Sequence, residues 1–281
     1  MKNKSNPKKF IYKNDNILNH HEALISIDER GFLFGDGLFE TCRFINQKII
    51  NFEAHLARIK IGLLNLKFNV DLQNLETKCY NLLKKNNLQD GIIRISISRG
   101  IGSKGYLPTN ESPNLTIIQT KELPSPPQNA DLIICDINPP TFKFKSANAL
   151  QYVLAKIFAH ENNFYDAIML DEKGYICETS SANIFWIKDQ IIYTPNDNCN
   201  MVRGTIRQAL IDLKDLKIKC GKFKISALKN ADEVFITNST LLILPIDKIA
   251  FRNKKETIEV KYKKILVKKV IKLLKIRLGL I

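Results

Sequence analysis

Apolar residues recur along this chain in two periods, and the switches between them mark alternating strands and helices. Over residues 91–98 the period is two: Ile93, Ile95 and Ile97 share one face, and Arg94, Ser96 and Ser98 the other. Over residues 53–66 it lengthens, with Leu56, Ile59, Leu63 and Leu64 forming the stripe of a helix. A second helix is expected over residues 72–85 and a short strand over 115–119. Residues 132–136 read as a strand and 146–162 as a helix with Leu150, Val153, Leu154, Ile157 and Phe158 on one side. Strands follow at 166–170, 175–178, 183–187 and 191–194, the last two joined by a tight turn at Lys188, Asp189 and Gln190. No internal repeat or low-complexity segment interrupts this order.

The densest proline cluster, L-P-S-P-P-Q-N, begins at Leu123. Proline cannot extend a sheet or a helix, so an interdomain linker is expected over residues 123–130. It separates an N-terminal α/β domain, 1–122, from a C-terminal one, 131–281.

Composition excludes several classes. With 281 residues, 44% hydrophobic and 25% charged, the chain has ordinary globular composition and enough length for two cores. The residues from Met1 to Lys9 are polar and basic, and no stretch reaches the ~20 apolar residues of a membrane span. The six cysteines lack C-x-x-C spacing, so reduced thiols in a cytoplasmic protein are expected, with no metal site and no disulfide framework. The net charge of +15 is spread along the chain. Its densest stretch, 254–277, reads as a C-terminal helix with a solvated lysine face. Neither nucleic acid nor membrane is the expected partner, because this helix is expected to dock on its own domain, and no aromatic interleaving supports nucleic-acid binding.

The candidate chemistry centres on Lys145, opening K-S-A-N-A-L-Q-Y-V-L-A-K, and Glu178, opening E-T-S-S-A-N-I-F-W. An amine that can form a Schiff base and a carboxylate that can keep a pyridine nitrogen protonated are what pyridoxal phosphate needs. On a strand, Lys143 would share a face with Lys145, as an edge charge. At the sequence G-T-I-R-Q, Thr205 and Gln208 have the spacing of a capping box, and such a helix start is a natural anion site.

Further motifs keep a fixed order: I-D-E-R-G-F-L-F-G-D-G-L-F-E-T from Ile27, H-L-A-R-I from His55, S-R-G-I-G-S-K-G-Y from Ser98, R-G-T-I-R-Q from Arg203 and D-E-V-F-I-T-N-S-T from Asp232. Together they resemble the fold-type IV pyridoxal-phosphate enzymes, the class IV aminotransferases, from about residue 25 to 246. The resemblance implies two α/β domains with the cofactor at their interface, a homodimer, and an amino-acid-like substrate. It implies Lys145 as the catalytic amine and Glu178 as the partner of the ring nitrogen. Arg58, Thr205, Ile206 and Ser239 would hold the phosphate, and Val202 would pack against the ring. Lys156 matches a non-catalytic lysine. The family usually has G-I-T-R where this chain has G-T-I-R, which relocates a hydroxyl.

Phe39, Thr41, Lys104, Tyr106 and Thr240 are the implied substrate contacts. The loop from Arg99 to Tyr106 and the F-E-T at Phe39 are similar to 4-amino-4-deoxychorismate lyases, although these usually carry Arg where this chain has Lys104. D-amino-acid transaminases tend to have Tyr at the Phe39 position. A lyase that releases pyruvate and leaves 4-aminobenzoate, for folate synthesis, is therefore expected. An aminotransferase for branched-chain or D-amino acids is the alternative, and a non-enzymatic basic scaffold the remote one.

Overall fold

Strict alternation in the first third of the chain builds a sheet with one face for helices, while the long apolar runs after residue 130 build strands buried on both faces. The computed structural model describes residues 9–109, 114–127, 129–252 and 257–281. It is a mixed α/β structure. The chain divides into two compact units, Met1–Pro124 with Phe144–Asn148, and Ser125–Lys143 with Ala149–Ile281.

The first unit contains β1 (Phe10–Lys13), β2 (Asn16–Asn19), α1 (Arg30–Phe34), β3 (Gly37–Ile45), β4 (Lys48–Ile49), α2 (Phe52–Leu66), α3 (Leu75–Lys85), β5 (Gly91–Ser98), β6 (Ser103–Lys104), β7 (Leu107–Pro108) and β8 (Leu115–Lys121). Six strands form an antiparallel sheet in the order β2-β1-β8-β5-β3-β4, and β6 and β7 pair separately. Ile93, Ile95 and Ile97 are fully buried with Leu38, Cys42 and Phe44 of β3 against Ile59, Leu63, Leu82 and Leu83 of the helices.

The second unit contains β9 (Asp131–Ile134), α4 (Leu150–Glu161), β10 (Asp166–Leu170), β11 (Ile176–Thr179), β12 (Asn183–Lys188), β13 (Ile191–Pro195), α5 (Thr205–Ile211), β14 (Ile218–Gly221), α6 (Ser226–Lys229), β15 (Glu233–Asn238), β16 (Leu242–Pro245), β17 (Lys248–Arg252), β18 (Thr257–Lys261) and α7 (Leu266–Arg277). One sheet runs β11-β10-β9-β17-β18 and the other β14-β13-β12-β15-β16. Leu132, Ile168, Ile184, Trp186, Ile236 and Ile249 fill the space between the two sheets. On the outer face of the second sheet, Phe185 and Phe235 pack with Ile206 and Leu210 of α5 and Val267, Val270 and Leu274 of α7. On the outer face of the first, Ala155 and Ala159 of α4 pack against Ala167, Met169 and Ala250.

Four readings of the pattern need correction. The C-terminal helix expected over 254–277 begins only at Leu266, because residues 257–261 form β18 paired along β17, and residues 254–256 lie outside the described residues. The helix expected from residue 146 begins at Leu150, because 144–148 instead runs beside β3: Phe39 N–H donates to the Lys145 carbonyl (2.9 Å) and Ala147 N–H to that of Gly37 (2.9 Å). Lys143 is in a bend, not on a strand, and its Nζ donates to the Asp197 carbonyl at 2.7 Å. The stripe of Leu150, Val153, Leu154 and Ile157 is 45–61% exposed, since the small residues Ala155 and Ala159 are what α4 turns to its sheet. The turn after β12 is as tight as expected, with Asp189 and Gln190 both at positive φ, 48° and 61°.

Among the described residues, no helix is long and apolar enough to cross a membrane, and no group of three or more His, Cys, Asp or Glu could hold a metal ion. All six cysteines are free thiols, with only Cys220 exposed.

Candidate functional site

The candidate residues fall into two sets, one in each unit. In the first unit, β3 alternates Leu38, Glu40, Cys42 and Phe44 towards the helices, leaving Phe39 and Thr41 on the other face. The Lys145 Nζ sits 4.6 Å from the centre of the Phe39 ring, and the Arg94 guanidinium 3.9 Å from it. Burial lowers the pKa of Arg94. A cavity of about 520 Å³ is lined by Phe39 and Arg94 together with Ile25, Phe32, Ser96 and Ile117.

Arg58 lies on α2 with His55 one turn before it, and both reach Glu40. The Arg58 fork donates through Nε (2.6 Å) and Nη2 (2.7 Å), and His55 Nδ1 lies 2.7 Å from Glu40 Oε2. Burial opposes a charge on Glu40, but the Arg58 charge and hydrogen bonds, with those of His55, outweigh it and hold the carboxyl down at about 2. His55 is pushed below its usual value by burial, against the pull of Glu40. A neutral imidazole then donates from Nδ1 to the carboxylate.

The loop of the expected substrate contacts is fastened by buried arginine. Arg30 donates through Nη1 to the Gly105 carbonyl (3.2 Å) and Nη2 to that of Tyr106 (2.9 Å), while its Nε binds Asp36 (2.8 Å). The Tyr106 side chain is 87% exposed, its ring edge-on to Phe34 at 5.5 Å. Lys104 belongs to β6, and its side chain lies outside the described residues. Arg99, at the start of the loop motif, shares Asp36 with Arg30 and donates to the Leu66 carbonyl (2.6 Å) at the end of α2.

In the second unit Glu178 is 3% exposed on β11. Oε1 accepts from the Tyr152 hydroxyl (2.7 Å) and the Val202 N–H (3.0 Å), and Oε2 from Asn183 Nδ2 (3.2 Å). Burial and then the Glu178 charge push the Tyr152 pKa far up, so this phenol stays a donor. Asn183 also donates to the Val202 carbonyl at 2.8 Å. The three hydroxyls after Glu178 all turn to the buried carboxylate of Asp166, Thr179 at 2.9 Å, Ser181 at 2.6 Å, and Ser180 beside them. Lys156 lies 4.0 Å from the same carboxylate.

The capping box expected at Thr205 and Gln208 does not form. Gly204 is the N-cap of α5 and no side chain caps it, so Thr205 is the first helical residue, while Gln208 donates to Asp212 (2.8 Å). Thr205 is buried, and the Ile206 side chain enters the core, leaving its backbone N–H as the group with which it could serve an anion. Ser239 and Thr240 follow β15 in a turn ordered by Asn238, whose Oδ1 accepts from the N–H of Thr240 (3.0 Å) and Leu241 (2.8 Å).

Sequence reasoning missed Glu40, His55, Arg94, Tyr152 and Asn183. Glu40 was detectable as the one acid in an apolar alternation, and His55 as the residue three before Arg58 on the same helix face. Nothing local marked Tyr152, 26 residues before Glu178, or the bond from Asn183 to Val202, because these contacts come from the tertiary fold.

The family model for amino-transferase class IV matches residues 37–249. An aminodeoxychorismate lyase of Bacillus subtilis (strain 168) is 31% identical over 252 residues, 85% of this chain and 86% of the relative. A D-alanine aminotransferase of Staphylococcus epidermidis is 29% identical over 257 residues, 86% of this chain and 90% of the relative. Among solved structures, the branched-chain amino acid aminotransferase of Escherichia coli shares the fold, with TM-score 0.87 at 21% identity over 97% of this chain and 96% of that one. The 4-amino-4-deoxychorismate lyase of Pseudomonas aeruginosa has TM-score 0.81 at 25% identity, covering 94% and 98%. A family match across most of the chain, with a relative above 30% identity over nearly its whole length, makes this chain a member of the class IV aminotransferases, a family of pyridoxal-phosphate-dependent aminotransferases and lyases.

Proposed function

We propose that this enzyme binds pyridoxal phosphate and uses it to eliminate pyruvate from 4-amino-4-deoxychorismate. The residues fit the cofactor. Glu178 is a buried carboxylate aimed by three neutral donors, suited to a protonated ring nitrogen. At the start of α5 an added Gly204 Cβ would lie 2.0 Å from Asn183 Oδ1, so the approach of that backbone to Asn183 requires glycine.

When bound, the cofactor supplies an electron sink next to the substrate α-carbon. Lys145 Nζ would hold it covalently and, once displaced by the substrate amine, would move the α-proton. Glu178 would keep the ring nitrogen protonated. Arg58, Ser239 and the backbone at Thr205 and Ile206 would hold the phosphate, with Val202 against the ring. Phe39, Thr41, Lys104, Tyr106 and Thr240 would orient the substrate, and Arg30 would keep the loop of Lys104 and Tyr106 in place.

The observation that carries the lyase reading is the Phe39 ring beside Lys145, which presents no phenolic hydroxyl to a substrate carboxylate. The B. subtilis relative supports it, and the D-alanine aminotransferase relative supports the alternative of transamination. Given aminodeoxychorismate, the holoenzyme should release pyruvate and 4-aminobenzoate in equal amounts without a keto-acid acceptor. Acceptor-dependent deamination of leucine, isoleucine, valine or D-alanine, with no pyruvate released from aminodeoxychorismate, would replace the lyase by an aminotransferase. A homodimer is part of the same proposal, and the exposed stripe of α4 supports it as a surface that a second copy would cover.

A further inference from the structure

The strand β15 is buried at every position from Glu233 to Thr237. Thr237 is 1% exposed, and its Oγ1 is buried with no hydrogen-bond partner among the described residues. A hydroxyl kept in that condition costs stability, a cost that valine, nearly the same shape, would avoid. Protein interiors leave few such groups, and those they leave call for an explanation.

Register shows where this hydroxyl points. Thr237 is paired with Asn183 across β12 and β15, and residues directly opposite in an antiparallel pair share a face. Phe235, on that face two residues earlier, stacks on Phe185 at 5.1 Å and packs with Ile206 and Leu210 of α5. Thr237 is the next residue along the same face, towards the end of the strand that leads into Ser239. Its cross-strand neighbour Asn183 touches Glu178, Val202 and the backbone at Gly204. The hydroxyl therefore lies at the corner of the second unit where α5 begins and the turn of Ser239 follows.

We infer that Thr237 is a binding residue for the phosphate end of the cofactor, its hydroxyl held for a phosphate oxygen in addition to Ser239 and the α5 backbone. This rests on the reading that pyridoxal phosphate places its phosphate at this corner. A strand position otherwise suited to valine would then carry threonine because the hydroxyl finds its partner only in the ligand.

The test compares Thr237→Val, Thr237→Ser and Ser239→Ala with the wild type, by thermal unfolding of the cofactor-free proteins and by titration with pyridoxal phosphate and with pyridoxal. Thr237→Val should melt no lower than wild type, yet its dissociation constant for pyridoxal phosphate should rise roughly tenfold or more, the scale of a hydrogen bond to a charged group. Its affinity for pyridoxal should not change, and Thr237→Ser should restore most of the phosphate-dependent affinity. If Ser239→Ala weakens pyridoxal phosphate binding while Thr237→Val melts higher and binds normally, Thr237 is a strand filler and the inference falls alone. Equal weakening for both ligands would also overturn it. If neither variant distinguishes pyridoxal phosphate from pyridoxal, the phosphate assignment falls, and the inference with it.

Discussion

Arg58 grips Glu40 edge-on, Nε to Oε1 at 2.6 Å and Nη2 to Oε2 at 2.7 Å, in a setting where Glu40 is 1% exposed. Such a pair gains little over an apolar pair, but losing one member strands a buried charge. Glu40→Gln should therefore lower the free energy of unfolding by about 3–5 kcal/mol. Urea unfolding of the cofactor-free protein checks this, and a loss below about 1 kcal/mol would mean that solvent reaches Arg58 when Glu40 is gone.

The same cluster sets a pH dependence. Glu40 and His55 both have folded pKa values below their ordinary ones, so the unfolded chain binds more protons and stability falls with acid. The His55 contribution is present above its usual value of 6.5 and drains as the pH drops through that value towards the lowered one. The Glu40 contribution persists until the pH passes 4.5 and drains towards about 2. Melting temperature should decline from pH 7 to 5, and His55→Asn, which keeps an N–H donor and removes the titration, should flatten that decline. An unchanged slope would assign it to other groups.

Glu178→Gln should still bind cofactor but turn over roughly 10²-fold more slowly, the scale of a lost electrostatic stabiliser. Tyr152→Phe removes one of the donors to Glu178 and should slow turnover by less. Steady-state rates of the two holoenzymes, with bound cofactor measured alongside, check the order. Near-normal turnover in Glu178→Gln would hand the ring nitrogen to another group.

The strands and helices were legible where burial follows period. Residues 91–98 alternate because one face meets α2 and α3, and β12 reads as an apolar run because sheet and helices cover both its faces. The start of α4 was not legible, since K-S-A-N has no helix-breaking residue and is drawn out of the helix by hydrogen bonds to β3. Lys145 and Glu178 could be chosen from motifs, whereas Glu40 owes its role to His55 and Arg58, 15 and 18 residues away, and Asn183 joins Glu178 to Val202, 19 residues beyond it. The apolar side of α4 was visible, but not that it faces away from its own sheet, because small residues opposite it do the packing.

That exposed side gives a prediction about assembly. Val153 and Ile157 lie one turn apart on α4, 49% and 47% exposed. If a second copy covers them, wild type should be a dimer in light scattering coupled to gel filtration, and Val153→Glu with Ile157→Glu should shift it to monomer without unfolding it. A charged pair that leaves the mass unchanged would place the subunit contact elsewhere.

Gly204 and Asn183 should be coupled. Gly204 has φ −66° and ψ 137°, a conformation open to any residue, so space and not backbone freedom excludes a side chain there. A Cβ would sit 2.0 Å from Asn183 Oδ1, and relief requires Asn183 to turn away from Val202 and Glu178 or α5 to shift. Gly204→Ala should cost about 1–3 kcal/mol, as overpacking does. Asn183→Ala alone should cost about 1–3 kcal/mol for its lost hydrogen bonds. With Ala at 183 no Oδ1 remains to meet the new Cβ, so the double variant should lose less than the two single costs added, by roughly 1 kcal/mol or more. Denaturant unfolding of the four proteins closes the cycle. Additive costs would show that the clash is relieved by movement of α5, and cofactor affinity should then fall in Gly204→Ala whether or not Asn183 is present.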